Sequence, residues 1–169
     1  MTGGMLIGLK LQHIAEKWTF WKGLCYQTRA QYLISTQLRK VKTVLYVDDD
    51  LDDITFFKKA MRNLDPSVDV ISFLDSAEGI KYLSSSSIIP SIIFLDSNMP
   101  TMNGLECVIA IKRDPRLRRI PVVLFSVGLS KEQIIQYNSL GIYQFISKST
   151  IGELEKSLKY IILDLIKDH

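Results

Sequence analysis

Only two cysteines, Cys25 and Cys107, occur in 169 residues, and neither belongs to a C-x-x-C pair. Isolated thiols argue against a disulfide scaffold or a cysteine-bound zinc, and they suit a reducing compartment. Long apolar runs are lacking as well. No stretch approaches the roughly 18 residues that a membrane-spanning helix needs. The run Met5–Leu9 is too brief for a secretory segment, and no small-residue cleavage site follows it. The expected location is therefore the cytoplasm. Acid is scarce at one end only: residues 1–42 hold seven Lys/Arg against Glu16 alone, a balance of +6. The remainder holds 14 basic against 17 acidic residues, a balance of −3. The sign change divides a basic leader, residues 1–41, from a slightly acidic domain, residues 42–169. At 47% hydrophobic and 23% charged, the composition is globular rather than disordered. The length suffices for one domain with a core, hardly for two.

From Lys42 onward, short apolar runs alternate with longer helical patterns. The predicted strands are Thr43–Val47, Val68–Phe73, Ser91–Leu95, Pro121–Phe125 and Ile142–Ile146. They are nearly continuous runs of Val, Ile, Leu, Phe and Tyr, as in strands buried on both faces. Helices are predicted over 51–64, 75–84, 103–113, 130–139 and 150–167. In the last, Ile151, Leu154, Leu158, Ile161, Ile162 and Leu165 form one apolar stripe. Gly141 falls where the fourth helix should stop. Five βα units in a row imply an α/β fold, a doubly wound parallel sheet with helices on both faces. Ligands of such sheets bind beyond the carboxyl ends of the strands.

Polar residues cluster at those ends. Strand one runs into Asp48-Asp49-Asp50, strand three into Asp96-Ser97-Asn98, strand four into Ser126, and strand five into Ser147-Lys148. Crowded carboxylates repel unless a positive charge sits among them. Asp48, Asp49 and Asp96 offer the hard oxygen ligands that suit Mg²⁺, and Lys148 offers a fixed cation. A calcium loop shares the D-x-D-x-D spacing of Asp48, Asp50 and Asp52. It fails at its sixth position, Asp53 instead of Gly, and at its twelfth, Lys59 instead of Glu. A nucleophilic carboxylate, a Mg²⁺, a lysine and a hydroxyl are the parts needed to accept a phosphoryl group.

The stretches "VLYVDDD", "IIFLDSNMPTMNGLE", "PVVLFSVG" and "GIYQFISKS" resemble, in order and spacing, the motifs of the response-regulator receiver domain of two-component signalling. The resemblance covers roughly residues 42–167. It implies a five-stranded, flavodoxin-like (CheY-like) sheet of order 2-1-3-4-5 and a single-domain phosphoacceptor switch. By the resemblance Asp96 takes the phosphoryl group from a sensor histidine kinase or phosphotransfer protein. Asp49 ligates Mg²⁺, Asp48 holds a metal-bound water, and Asn98 contributes its backbone carbonyl. Ser126 and Lys148 contact the phosphoryl group, and Phe145 is the switch aromatic. Asp50, Asp52 and Asp53 are expected to face solvent at the start of the first helix. The chain departs from the family at Ser149, where proline is usual, and at Val127, where a small residue is usual. Phe145 also lacks the hydroxyl of a tyrosine.

Output is expected through a protein partner on the face of helix four, strand five and helix five. The sequence ends at His169, straight after the last helix, so no C-terminal DNA-binding or catalytic domain is expected. Two rivals remain. A pseudo-receiver would bind partners without phosphate. A haloacid-dehalogenase-like phosphatase would use Asp48-x-Asp50, but the late Asp pair it requires is missing. In the leader, Ile7, Leu11, Ile14, Trp18, Trp21 and Cys25 form an amphipathic stripe. Such a stripe can meet an anionic membrane or a partner groove. The plainer readings are packing on its own domain, homodimer formation or an unanchored extension. "KRDPRLRR" (Lys112–Arg119) is read as a solvated basic loop at the opposite end of the sheet from the acids, in preference to a nucleic-acid contact.

Overall fold

Polar caps decide where the helices begin. The side chains of Asp50, Asp75, Asn103 and Ser130 each accept a hydrogen bond from a backbone N–H of the following turn. These bonds satisfy donors that a helix start leaves unpaired. Asn103 with Glu106, and Ser130 with Gln133, complete reciprocal capping boxes. The sequence-predicted starts at 75, 103 and 130 are thus the caps themselves, one residue before the first helical turn.

The computed structural model describes residues 41–148 and 151–167. Residues 1–40 of the leader, with its amphipathic stripe, and Ser149 lie outside the described residues. In chain order the elements are β1 (Thr43–Val47), α1 (Leu51–Leu64), β2 (Asp69–Phe73), α2 (Ser76–Ser85), β3 (Ile92–Asp96), α3 (Gly104–Arg113), β4 (Val122–Ser126), α4 (Lys131–Ser139), β5 (Gln144–Ser147) and α5 (Ile151–Lys167). All strand pairs are parallel, in the order β2-β1-β3-β4-β5. The expected order is borne out, with β3 to β5 shifted one or two residues toward the C-terminus of the predicted runs.

Every residue of β3 and β4 is buried, as continuous apolar runs require in a sheet covered on both sides. Side chains alternate between faces. Leu45, Val47, Ile93, Leu95, Val122 and Leu124 pack with Leu83 of α2, Val108 and Ile111 of α3, and Tyr137 of α4. On the other face, Tyr46 stacks on Phe57 of α1 at a centroid distance of 4.3 Å, and Phe57 meets Phe94 and Phe125 edge-on. The α1 and α5 helices share that face, joined by Asn63 donating to Glu155 at 2.6 Å. After α4 the chain turns at Gly141 with φ +70°, a left-handed conformation that glycine adopts without strain.

The basic stretch after α3 is more structured than a solvated loop. Arg116 donates to the carbonyls of Leu83, Ser84 and Ser86, closing the C-terminal end of α2. Lys112 folds back onto the carbonyls of Arg118 and Ile120 at 3.2 and 3.3 Å. Two of its cations are therefore spent on backbone carbonyls. Cys107 is fully buried, and burial pushes its thiol up to about 11, with nearby Glu106 adding to the effect. Such a thiol is unreactive. Among the described residues, no helix is long and apolar enough to cross a membrane.

Candidate functional site

Strand alternation explains why the acids and the lysine meet. Tyr46 and Asp48, Phe94 and Asp96, and Ile146 and Lys148 are paired positions two residues apart, on the face that carries α1. Each second member lies at or just past its strand's carboxyl end. Lys148 Nζ lies 3.0 Å from Asp48 Oδ2 and 2.9 Å from Asp96 Oδ1. It lies closer still, at 2.7 Å, to Asp53 Oδ2. Asp53 is in the first turn of α1 and was expected to face solvent. It turns inward instead, because a half-buried ammonium beside it offers more than water does. Burial alone would lower the pKa of Lys148, but its contacts with Asp53, Asp96 and Asp48 outweigh that and raise it. The lysine is thus a permanent cation.

Asp48 is completely buried. Its Oδ1 accepts the Asp50 N–H at 3.0 Å, and its Oδ2 accepts both the Tyr46 hydroxyl and Lys148. Burial nevertheless holds its carboxyl above the usual range. The Tyr46 hydroxyl is driven far upward, first by burial and then by Asp48, so it acts purely as a donor. Asp50 caps α1 by accepting the Asp52 N–H at 2.8 Å. Of the three acids expected to serve the helix start, Asp50 and Asp52 are exposed and Asp53 is not.

Asp96 is only 4% exposed. Its Oδ2 accepts the Asn98 N–H at 2.8 Å and its Oδ1 meets Lys148, so the carboxylate is oriented from both sides. It borders an open cleft of 410 Å³ lined also by Asp49, Asn98, Ser126, Val127 and Lys148. The loop after Asp96 is anchored at its far end. Met102 donates its N–H to the buried Ser76 hydroxyl at 2.8 Å, and Thr101 donates to Asp75 at 2.7 Å. Ser126, at the end of β4, is 8% exposed, and its hydroxyl has no hydrogen-bond partner among the described residues. Val127 stands on the rim, 79% exposed, rather than filling the cleft.

Phe145 is half-buried on the opposite face of the sheet from Lys148, in T-shaped contact with Tyr137 at 6.0 Å. Tyr137 is the one buried residue of α4. Its hydroxyl lies 3.0 Å from where a side chain on Gly104 would begin, at the start of α3. The sequence reading missed three residues, Tyr46, Asp53 and Tyr137.

Three acids, Asp48, Asp53 and Asp96, contact Lys148, and a fourth, Asp49, lines the same cleft. That leaves a concentrated negative charge whose exposed member, Asp49, faces the cleft. Among the described residues, no three acids, histidines or cysteines form a ready ligand cage. Mg²⁺ needs none, since it keeps several waters and takes one or two carboxylates with phosphate oxygens. The donor set fits that ion.

A family model described as "Response regulator receiver domain" matches residues 44–159. The chain is 26% identical over 121 residues to the response regulator Rcp1 of Synechocystis sp., covering 69% of this chain and 82% of Rcp1. It is 30% identical over 98 residues to the stress response regulator protein 1 of Meyerozyma guilliermondii. That match covers 58% of this chain and less than half, 44%, of the yeast protein. Among solved structures, the phosphorylated cyanobacterial phytochrome response regulator RcpA superposes with a TM-score of 0.68 at 29% identity. The superposition covers 76% of this chain and 96% of RcpA. The Mn²⁺-bound form of Rcp1 superposes with a TM-score of 0.64 at 26% identity, covering 71% and 91%.

Proposed function

The chain belongs to the response regulator receiver domain family, and on that premise we propose that Asp96 accepts a phosphoryl group and that the chain signals by protein contact. A carboxylate oxygen of Asp96 forms the new O–P bond as the P–N bond of a phosphohistidine breaks. The electron pair stays on the imidazole nitrogen, which leaves neutral when the other ring nitrogen carries the proton. The donor is a sensor histidine kinase or a phosphotransfer protein. The observation that carries this reading is the convergence of Lys148 on Asp96 at the edge of a cleft that Ser126 also lines.

Each residue has a role that follows from its position. Lys148 neutralises charge on the incoming oxygens. The Asn98 N–H orients Asp96 by holding its second oxygen. Ser126 can turn its free hydroxyl toward a phosphoryl oxygen, and that movement draws on the β4–α4 loop. Asp49 and Asp96, with the Asn98 carbonyl, would hold a Mg²⁺ ion, and Asp48 would contact it through water. When bound, the ion supplies positive charge against which the phosphoryl oxygens are stabilised. Phe145 has no hydroxyl, so its part in switching is repacking against Tyr137. The output face combines α4, β5 and α5, where Ile134, Ile135 and Tyr160 are exposed. The chain is a switch in the cytoplasm, not a metabolic enzyme.

The phosphatase rival has little support, since its nucleophile would be Asp48, fully buried and held by three donors. Residues 1–41 form an extension dispensable for phosphorylation, and residues 42–169 form the receiver. Both points are open to test. Beryllofluoride with Mg²⁺ should shift amide resonances around Asp96 and Ser126, in the full chain and after deletion of residues 1–40. No shift in either identifies a pseudo-receiver. A shift in the full chain alone makes the extension part of the site.

A further inference from the structure

An ammonium group has three N–H donors and no acceptor. That of Lys148 meets three carboxylates: Asp53 at 2.7 Å, Asp96 at 2.9 Å and Asp48 at 3.0 Å. An incoming anionic oxygen can bind this lysine only by displacing one of them. The three differ in what displacement costs. Asp48 is fully buried, and a buried carboxylate stripped of its counter-charge is strongly destabilising. Asp96 is the reacting group and must stay beside the lysine for the phosphoryl oxygens to reach it. Asp53 is different. Its side chain is 32% exposed, so water can replace the lysine, and its place in the first turn of α1 favours its charge once released.

We propose that Asp53 is the exchangeable partner of Lys148. In the unphosphorylated chain it occupies the donor that a phosphoryl oxygen takes over, and it thereby sets how tightly the site holds that group. The proposal rests on reading Asp96 as the phosphoacceptor. Asp53 is a positioning residue that acts through Lys148, without touching the phosphoryl group. The same exchange has a mechanical consequence. The Asp53–Lys148 pair ties the first turn of α1 to the end of β5, and phosphorylation opens that tie.

The test uses the full chain with Mg²⁺ and beryllofluoride, as wild type, Asp53→Asn, Asp52→Asn and Asp96→Asn. Asp52 lies in the same helical turn, carries the same charge and forms no ion pair with Lys148 among the described residues. It therefore reports the loss of charge alone. Releasing a partly exposed pair should let Asp53→Asn bind about three- to fivefold more tightly than Asp52→Asn. Equal or weaker binding overturns the proposal. The ¹⁵N resonance of the Lys148 ammonium, followed without beryllofluoride, gives an independent readout. It should move in Asp53→Asn and hold in Asp52→Asn, and an unmoved resonance overturns the proposal whatever the anion does. If the resonance moves but wild type binds no beryllofluoride, or Asp96→Asn binds it equally well, the phosphoacceptor reading fails. The exchange role then falls with it.

Discussion

The hydroxyl of Tyr46 donates to Oδ2 of Asp48, two residues further along the same face of the sheet. Asp48 has no exposed surface, so this donor, the Asp50 N–H and Lys148 are what make a buried carboxylate tolerable. Tyr46→Phe keeps the ring that stacks on Phe57 and removes only the donor. The expected loss of stability is about 1–3 kcal/mol at pH 7, read from urea unfolding.

The sign of its pH dependence follows from the carboxyl of Asp48, which burial holds above its usual value. The folded chain binds that proton more readily than the unfolded chain. The stability contributed by Asp48 is therefore fully present below the unfolded value, about 3.9, and lost as pH rises through the higher folded value. Removing the Tyr46 donor disfavours the carboxylate further. The penalty of Tyr46→Phe should shrink as pH is lowered from 7 toward 4. A penalty equal at both ends would contradict this account of the pair.

Tyr137 is nearly fully buried, and its hydroxyl has no hydrogen-bond partner among the described residues. Burial raises its pKa, so it remains a neutral phenol. A buried hydroxyl left unpaired costs stability, and Tyr137→Phe should leave the chain as stable as wild type or more so. Tyr137→Ala removes the one buried side chain of α4 and should cost about 3–5 kcal/mol. It should also accelerate amide exchange in α4 ahead of the sheet. A Tyr137→Phe variant destabilised by more than about 1 kcal/mol would show that the hydroxyl is bonded after all.

At Gly104 an added side chain would meet the Ser97 Cα at 2.8 Å, the Asp96 carbonyl at 2.9 Å and the Tyr137 hydroxyl at 3.0 Å. Two of these are backbone atoms, of the candidate phosphoacceptor and of the residue that follows it, and they cannot swing aside. Gly104→Ala should cost about 1–3 kcal/mol by denaturant unfolding and should shift the Asp96 and Ser97 amide resonances. Wild-type stability with unmoved resonances would show that the loop is looser than these distances.

The sheet was legible because β1, β3 and β4 are apolar apart from Thr43 at the start of β1 and the terminal Asp96 and Ser126, a pattern that only a strand covered on both faces sustains. Helix starts were misplaced by one residue at Asp75, Asn103 and Ser130, since a capping residue belongs to the pattern but not to the helix. At the site, Asp48, Asp96 and Lys148 were legible from the rule that such sheets bind ligands beyond their carboxyl ends, and they meet. Asp53 was not, because a helix-start acid reads as a solvated dipole partner unless the position of Lys148 is known. Tyr46 carried an overlooked signal, an oxygen-tipped aromatic in an aliphatic strand, two residues before a buried acid. Tyr137 carried another, a large ring on a helix that is otherwise polar apart from Ile134 and Ile135.

One chemical assignment decides between a phosphoacceptor and its rivals. The full chain is incubated with Mg²⁺ and acetyl phosphate, trapped with borohydride, which reduces an aspartyl phosphate to homoserine, and digested for mass spectrometry. The account predicts homoserine at position 96, dependent on acetyl phosphate and absent from Asp96→Asn. An unmodified Asp96 peptide in a folded chain, or modification at Asp48 instead, would contradict it.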